Sequence, residues 1–119
     1  MSLRAANITF DCDDALVVGR FWSAALRRPL DPGASSGFAS IGRHDPDPAQ
    51  PNWLFTQVPE KRVAKNRVHV DLEADDPQAE VKRLLELGAT HYADKAEYGG
   101  GWTVLQDPEG NEFCVSGPH

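Results

Sequence analysis

Apolar and polar residues follow the same order in two stretches of the chain, residues 7–26 and residues 69–88. Each stretch begins with alternating apolar and polar residues, continues with an Asp-Asp pair, and ends with apolar residues three or four positions apart. Strict alternation is typical of a strand with one buried face, and the wider spacing is typical of an amphipathic helix. The constant offset between the two stretches indicates an internal repeat.

The strand predicted in each stretch has one apolar and one polar face, because side chains two positions apart on a strand point the same way. The apolar face is expected to pack against the helix that follows. The apolar residues are Ile8, Phe10, Cys12 and Val70, Leu72, Ala74, and the polar residues are Asn7, Thr9, Asp11 and His69, Asp71, Glu73.

Both predicted helices have residues at their ends that favour starting or stopping a helix. Asp14 and Asp76 are predicted N-caps, because a carboxylate accepts hydrogen bonds from the free amides of the first turn. Pro77 suits the first helical position, and Gly88 suits the residue that ends the second helix. The first helix is expected to end at Pro29.

Short extended segments are expected after each helix. Asp107 to Gly110 has proline in second place and glycine in fourth, which is typical of a type I turn and predicts a hairpin. The segments lie at residues 37–42 and 53–58 in the first half, and at residues 90–94, 102–106 and 111–116 in the second.

The predicted fold class is α+β, with two βαβββ modules in one chain. A length of 119 residues suits one domain and is too short for two independent cores. We therefore expect a single domain over residues 1–119, with module 1 at about 5–60 and module 2 at about 66–117.

Charge and composition limit the partners. The chain has 12 Lys and Arg against 18 Asp and Glu, a net charge of −6, which argues against nucleic acid and anionic membranes. No apolar run approaches the length of a membrane span, and the first residues lack a signal-peptide layout, so we expect a cytoplasmic location. Cys12 and Cys114 are predicted to be buried thiols.

Five segments carry a family resemblance: ITFDCDD, FWSAALRRP, LFTQVPE, KNRVHVDLEADD and GGGWTVLQDPEGNEFCV. Together they resemble the vicinal oxygen chelate superfamily, which includes glyoxalase I, bleomycin resistance proteins and extradiol dioxygenases, and within it the small glyoxalase-like domains. The resemblance implies paired βαβββ modules that form a cupped mixed sheet, with helices on the outer face and a ligand or metal in the hollow. It also implies a homodimer, because members often dimerise.

The resemblance further implies where site residues lie. Metal-using members place ligands at the start of the first strand and in the last strand of each module. His69 and Glu112 match these two positions in module 2. In module 1, Asn7 stands where a metal-using relative has His. The last-strand position is expected within residues 53–57, which hold no carboxylate and offer Gln57 as a further donor.

These residues bear directly on whether a metal binds. A divalent metal centre generally takes three or four protein donors, typically imidazole and carboxylate groups. With one of each in the implied places, the donor count predicts no tightly bound metal, and a divalent metal held by His69 and Glu112 is the alternative. Asn7 also disfavours an extradiol dioxygenase, whose iron needs two His and one carboxylate.

The predicted function is glyoxalase-like binding of a small molecule, with two versions left open. In the first, the protein is a lyase or isomerase acting on a small oxygenated substrate, with His69 and Glu112 as catalytic acid–base pair. In the second, it is a non-catalytic, bleomycin-resistance-like binder whose acid-lined hollow suits a cationic drug. The residues expected to contact the ligand are Asn7, Thr9, Asp71, Trp53 and Trp102. For the two tryptophans, a place in the core is the alternative.

Overall fold

The computed structural model of the protein describes residues 4–64, 68–97 and 100–118. The chain forms two compact units, Met1–Arg62 (unit 1) and Val63–His119 (unit 2). The predicted start of module 2 near residue 66 lies outside the described residues. Neither helix in the described part of the chain has the length and apolar character needed to cross a membrane.

Unit 1 contains one helix and a three-stranded sheet. Its elements are β1 (Asn7–Cys12), α1 (Ala15–Leu26), β2 (Phe38–Ile41) and β3 (Asn52–Gln57). The strand order is β1-β3-β2, with β3 parallel to β1 and antiparallel to β2. Leu30 forms an isolated antiparallel bridge with Ile41. The second strand of a βαβββ module is therefore reduced here to a single bridge.

Unit 2 contains one helix and a four-stranded sheet. Its elements are β4 (Val70–Glu73), α2 (Pro77–Leu87), β5 (Thr90–Glu97), β6 (Gly100–Gln106) and β7 (Glu112–Ser116). The strand order is β4-β7-β6-β5, with β7 parallel to β4 and antiparallel to β6. In both units the last strand lies beside the first. The α+β class and the βαβββ order are confirmed.

The predicted N-caps form as expected. Asp14 Oδ1 accepts hydrogen bonds from the amides of Leu16 (3.0 Å) and Val17 (3.3 Å). Asp76 Oδ1 accepts one from the amide of Ala79 (3.2 Å). Each carboxylate thereby satisfies amides that have no partner within the first turn.

The helix ends agree with the sequence in one unit and differ in the other. Gly88, with φ 121°, caps α2, as predicted. Helix α1 ends at Leu26, before Pro29, because Arg27 adopts a left-handed conformation (φ 53°) and its amide donates to Ala24 and Ser23. The helix thus stops earlier than the proline alone predicted.

An aromatic cluster fills the core of unit 1. Trp22 of α1 is fully buried, and its ring centroid lies 5.0 Å from that of Trp53 on β3 and 5.8 Å from that of Phe10 on β1. Phe10 in turn stacks on Trp53 at 5.6 Å and lies 5.3 Å from Phe55. Since each buried large side chain contributes roughly 1.5–3 kcal/mol, this cluster fixes α1 onto the sheet.

The core of unit 2 is built mainly by the sheet. Phe113 and Val115 on β7 are buried and are the Cα partners of Val70 and Leu72 on β4, so these four side chains share one face. Leu84 is the buried residue of α2. Helix α2 therefore covers its sheet with much less buried surface than α1 does.

The turn predicted between the last two strands is confirmed. Asp107 Oδ1 accepts hydrogen bonds from the amides of Glu109 (2.9 Å) and Asn111 (3.0 Å), and Asn111 Nδ2 donates to both Asp107 carboxylate oxygens. Gly110 follows with φ 85°, which suits glycine. Asp107 is buried, so it fixes the start of β7 from inside the turn.

Candidate functional site

The sheet of unit 2 has a polar face opposite its apolar core. Cross-strand partners point to the same side of a sheet, and the register pairs Asp71 with Cys114, Val104 with Cys114, and Gln106 with Glu112. We call this the unit-2 polar face. Its members on β4, β6 and β7 are Asp71, Glu73, Trp102, Val104, Gln106, Glu112, Cys114 and Ser116, and β5 adds Thr90, Ala93 and Lys95.

His69 and Glu112 lie at the same end of the unit-2 polar face. Val70 is the Cα partner of Phe113. Because β4 and β7 are parallel, continuing this register by one residue brings His69, immediately before β4, beside Glu112, the first residue of β7. Extended in this way, the register sets the backbone of His69 next to that of Glu112.

Glu112 is nearly enclosed, with 4% of its surface exposed, whereas His69 is exposed. All four residues from Glu112 to Val115 are buried, so both faces of β7 are covered. A carboxylate in such a place interacts more strongly with its neighbours than one in water, because the local dielectric is lower. The pair thus combines an enclosed acceptor with an accessible imidazole.

The other residues of unit 2 that were predicted to contact the ligand share this face, at increasing distance from Glu112. Asp71 and Glu73 are exposed, and each step of two residues along β4 adds roughly 6–7 Å. Trp102 is half-buried and is the Cα partner of Ser116, at the opposite end of β7 from Glu112. The neighbour of Glu112 on β6 is Gln106, which the sequence did not indicate as a site residue.

In unit 1 the residues predicted to contact the ligand lie on opposite faces of the sheet. Asn7 and Thr9 are exposed residues of β1, and their Cα partners are Asn52 and Leu54. Trp53 pairs with Ile8, 5% of its surface is exposed, and it contacts Phe10 and Trp22. Trp53 is therefore a core residue, separated from Asn7 and Thr9 by the sheet.

The last-strand position of unit 1 is occupied by Asn52, not by a residue of 53–57 as expected. Asn52 is the Cα partner of Asn7, just as the register of unit 2 places Glu112 beside His69. Gln57 pairs instead with Cys12 on the apolar face, and its Nε2 donates to the Asp13 carbonyl (2.8 Å). We call Asn7 and Asn52 the unit-1 half-site.

A signal for Asn52 is visible in retrospect. Strand β3 begins with Asn52-Trp53 and β7 begins with Glu112-Phe113, in each case a polar residue followed by a large aromatic one. Aligning the two strands on the aromatic residue identifies Asn52 as the equivalent of Glu112.

The loop that follows β2 is fastened by Asp31. Its carboxylate accepts hydrogen bonds from Ser40 Oγ (2.6 Å) and from the amides of Arg43 (3.0 Å) and His44 (3.0 Å). Burial alone would raise the pKa of Asp31, but the bonds from Ser40, His44, Arg43 and Gly42 outweigh it and lower the pKa below its ordinary 3.8. Asp31 thus holds the loop that leads to Asn52.

The donors present do not fit a divalent metal. Unit 1 has two neutral amides at the implied positions, and unit 2 has one imidazole and one carboxylate at its own. In residues 4–64, 68–97 and 100–118, no three His, Cys, Asp or Glu side chains come together as a metal-binding group. Neutral amides are poor ligands for transition metals, so the two amides of unit 1 do not form a transition-metal site.

Comparison with known proteins identifies the family. A family model described as a glyoxalase-like domain matches residues 7–116. Among curated proteins, none matches the chain by sequence.

Several solved structures share the fold. A glyoxalase/bleomycin resistance protein/dioxygenase family enzyme from Burkholderia phytofirmans PsJN superimposes with a TM-score of 0.74 at 16% identity, covering 94% of this chain and 96% of that one. The bleomycin-binding protein of Streptomyces verticillus, complexed with copper(II)-bleomycin, gives 0.65 at 18% identity, covering 100% and 99%. Lactoylglutathione lyase from Agrobacterium tumefaciens gives 0.67 at 13% identity, covering 98% and 95%.

At these identities the structural likeness establishes the fold, and the family model establishes membership. The repeated strand–helix–strand pattern, the parallel pairing of first and last strands, and the match over residues 7–116 all agree. The chain belongs to the glyoxalase-like domain family.

Proposed function

We propose that the protein binds a small oxygenated molecule at the His69 end of the unit-2 polar face and acts on it as a lyase or isomerase. The observation that carries the proposal is the register of β4 and β7, which brings the exposed His69 beside the enclosed Glu112. The glyoxalase-like family and a neighbour named as a lyase support the choice of reaction class.

The pair suits proton transfer at a carbon next to a carbonyl group. Glu112 would remove the proton as general base, and His69 would donate a hydrogen bond or a proton to the carbonyl oxygen as negative charge develops there. Gln106, the neighbour of Glu112 on β6, is a further donor toward the substrate. Each role requires only side chains of unit 2.

Solvent exchange tests the proposed chemistry directly. We expect the protein to speed deuterium incorporation next to the carbonyl of dihydroxyacetone or pyruvate, measured by NMR in heavy water. Glu112→Gln should reduce the rate by about 10²-fold or more, since a positioned base contributes on that scale. His69→Ala should reduce it as well.

Glu109→Gln is the matched control, because it removes one negative charge from the adjoining turn, outside the unit-2 polar face. Equal rates for the wild type, Glu112→Gln and buffer would contradict the catalytic proposal.

The metal content of the purified protein separately tests whether its donors hold a divalent metal. Protein purified without chelator should contain less than one metal per chain, and stoichiometric metal lost in both His69→Ala and Glu112→Gln would overturn this expectation.

The second candidate is a non-catalytic binder of cationic drugs. It is favoured by the aromatic ring of Trp102 and by the carboxylates of the unit-2 polar face, those of Asp71, Glu73 and Glu112, which outnumber Lys95, the lysine beside Trp102 on β5. Carboxylates attract a cation, and the indole of a tryptophan can stack on a cation that is also aromatic. A neighbour named as a bleomycin-binding protein supports this function.

Binding without turnover distinguishes this candidate. A panel of cationic aromatic dyes should raise the melting temperature, and added salt should weaken the effect because it screens the carboxylates. Trp102→Ala should reduce the shift, whereas Tyr92→Ala, at an exposed aromatic residue of β5, should leave it unchanged. A panel that leaves the melting temperature of the wild type unchanged would remove the support for sequestration.

A further inference from the structure

Arg28 places a positive charge inside unit 1, close to the unit-1 half-site. Its Nη1 donates to the carbonyl of Pro51 (3.0 Å), the residue before Asn52. Its Nη2 is buried and has no hydrogen-bond partner among the described residues. A buried donor without a partner is costly, so its presence calls for an explanation.

Gly42 shows how closely the guanidinium approaches Asn52. A Cβ atom at Gly42 would lie 2.5 Å from Arg28 Nη2 and 2.8 Å from Asn52 Oδ1. The two polar atoms therefore converge on the space that the missing side chain leaves open. Gly42 has φ 95°, a conformation that favours glycine, so the backbone keeps this space free.

No carboxylate in the described part of the chain forms an ion pair with Arg28. Asp47 is one carboxylate that the charge of Arg28 influences. The pKa of Asp47 is lowered by hydrogen bonds from the Ala49 amide and the Gln50 side chain, and the charge of Arg28 adds to this effect. The guanidinium thus has no carboxylate in direct ion-pair contact among the described residues.

The amides of the half-site are available to a ligand. Asn7 is exposed and Asn52 is half-buried, and neither side chain makes a hydrogen bond within the described residues. Asparagine offers two N–H donors and one acceptor, so a neighbouring charge decides which kind of partner it prefers. The positive charge of Arg28 close to these amides favours an anion as their ligand.

We infer that Arg28 gives the unit-1 half-site a positive potential, so that it accepts an anionic oxygen group, such as a ligand carboxylate, and excludes a divalent cation. Asn7 and Asn52 would donate their N–H groups to the anion, and Arg28 would act on it through its charge. This assignment rests on unit 1 alone and does not involve His69 or Glu112.

Two probes on isotope-labelled protein test the inference, with the side-chain amide signals of Asn7 and Asn52 as the readout. In the wild type, acetate should shift both signals more than sodium chloride does at the same ionic strength, and Mn²⁺ alone should not broaden them. In Arg28→Gln, the apparent affinity for acetate should fall about tenfold, and broadening by Mn²⁺ should appear.

Arg43→Gln is the matched control, because Arg43 is an exposed cation next to Gly42, and this variant should behave as the wild type. Arg28→Lys keeps the charge and should keep the response to acetate. An unchanged acetate affinity in Arg28→Gln would overturn the inference. Should that variant fail to fold, absence of an acetate shift in the wild type, or broadening of its signals by Mn²⁺, would overturn it instead.

Discussion

The two units share their strand connections but use their residues differently. Unit 1 buries six residues of α1 against its sheet, including Phe21 and Trp22, whereas α2 of unit 2 buries Leu84. At the equivalent strand positions, unit 1 has the amides of Asn7 and Asn52, and unit 2 has His69 and Glu112. One copy of the repeat thus provides much of the apolar core, and the other carries an imidazole and a carboxylate at these strand positions.

This difference shows how a repeated pattern can diverge without losing its fold. The parallel pairing of first and last strands depends on backbone hydrogen bonds, which any residue except proline can donate. The residues at the strand ends are therefore free to change, as long as the apolar face of each strand is kept. We expect substitutions to affect the two units unequally.

The largest effect is expected in the aromatic cluster of unit 1. Trp22→Ala should lower the free energy of unfolding by about 3–5 kcal/mol, because it leaves a cavity between α1 and the sheet. Leu85→Ala, on the partly exposed face of α2, should cost less than about 1 kcal/mol. Urea unfolding measures both, and equal losses would contradict the unequal division of the core.

The next largest effect is expected at the turn of unit 2. Asp107→Ala should cost about 2–3 kcal/mol, since it leaves the part-buried amides of Glu109 and Asn111 without their acceptor. Asp47 accepts similar bonds from Ala49 and Gln50 in an exposed loop of unit 1, so Asp47→Ala should cost clearly less. Chemical unfolding of both variants makes the comparison.

Two glycines with positive φ separate backbone strain from steric contact. Gly42→Ala in unit 1 should cost about 1–3 kcal/mol, because the new methyl group meets Arg28 and Asn52 in addition to the strained backbone. Gly110→Ala in unit 2 has no atom within 4 Å of the new Cβ and should cost about 1 kcal/mol. A larger loss at Gly110 would contradict the tight space described at Gly42.

The smallest expected effect is a pH dependence of the free energy of unfolding, caused by Asp31 of unit 1. The pKa of Asp31 is lowered in the folded state, so its hydrogen bonds stabilise the fold above the ordinary value of 3.8. This contribution is lost as the pH falls through the lowered folded pKa. Asp31→Asn should therefore be less stable than the wild type at neutral pH, and the difference should shrink in acid. Unfolding midpoints over a pH series measure this, and a constant difference would contradict it.

The sequence was sufficient to predict the elements whose causes are local. Alternation predicted β1 and β4, and the capping roles of Asp14, Asp76 and Gly88 depend on neighbours within one turn. The hairpin turn from Asp107 is equally local, because Pro108 and Gly110 favour its conformation. These features follow from residues that are close together in the chain.

The candidate site required information that is not local. Whether Trp53 and Trp102 lie on the polar or the apolar face depends on the register of β3 and β6 against their neighbours, and a shift of one residue reverses the face. The same register reveals Asn52 as the partner of Asn7. Arg28 was missed because its side chain crosses from the end of α1 to the start of β3, a distance that no sequence spacing encodes.

The position of the last strand in each sheet also determines when that sheet can form during synthesis. β3 lies between β1 and β2, and β7 lies between β4 and β6, so neither sheet can close before its final strand has been made. During synthesis, every strand of unit 1 is present once Gln57 has left the ribosome, before β4 emerges. Glu112 opens the final strand of unit 2, so a nascent chain acquires the neighbour of His69 only as that sheet closes.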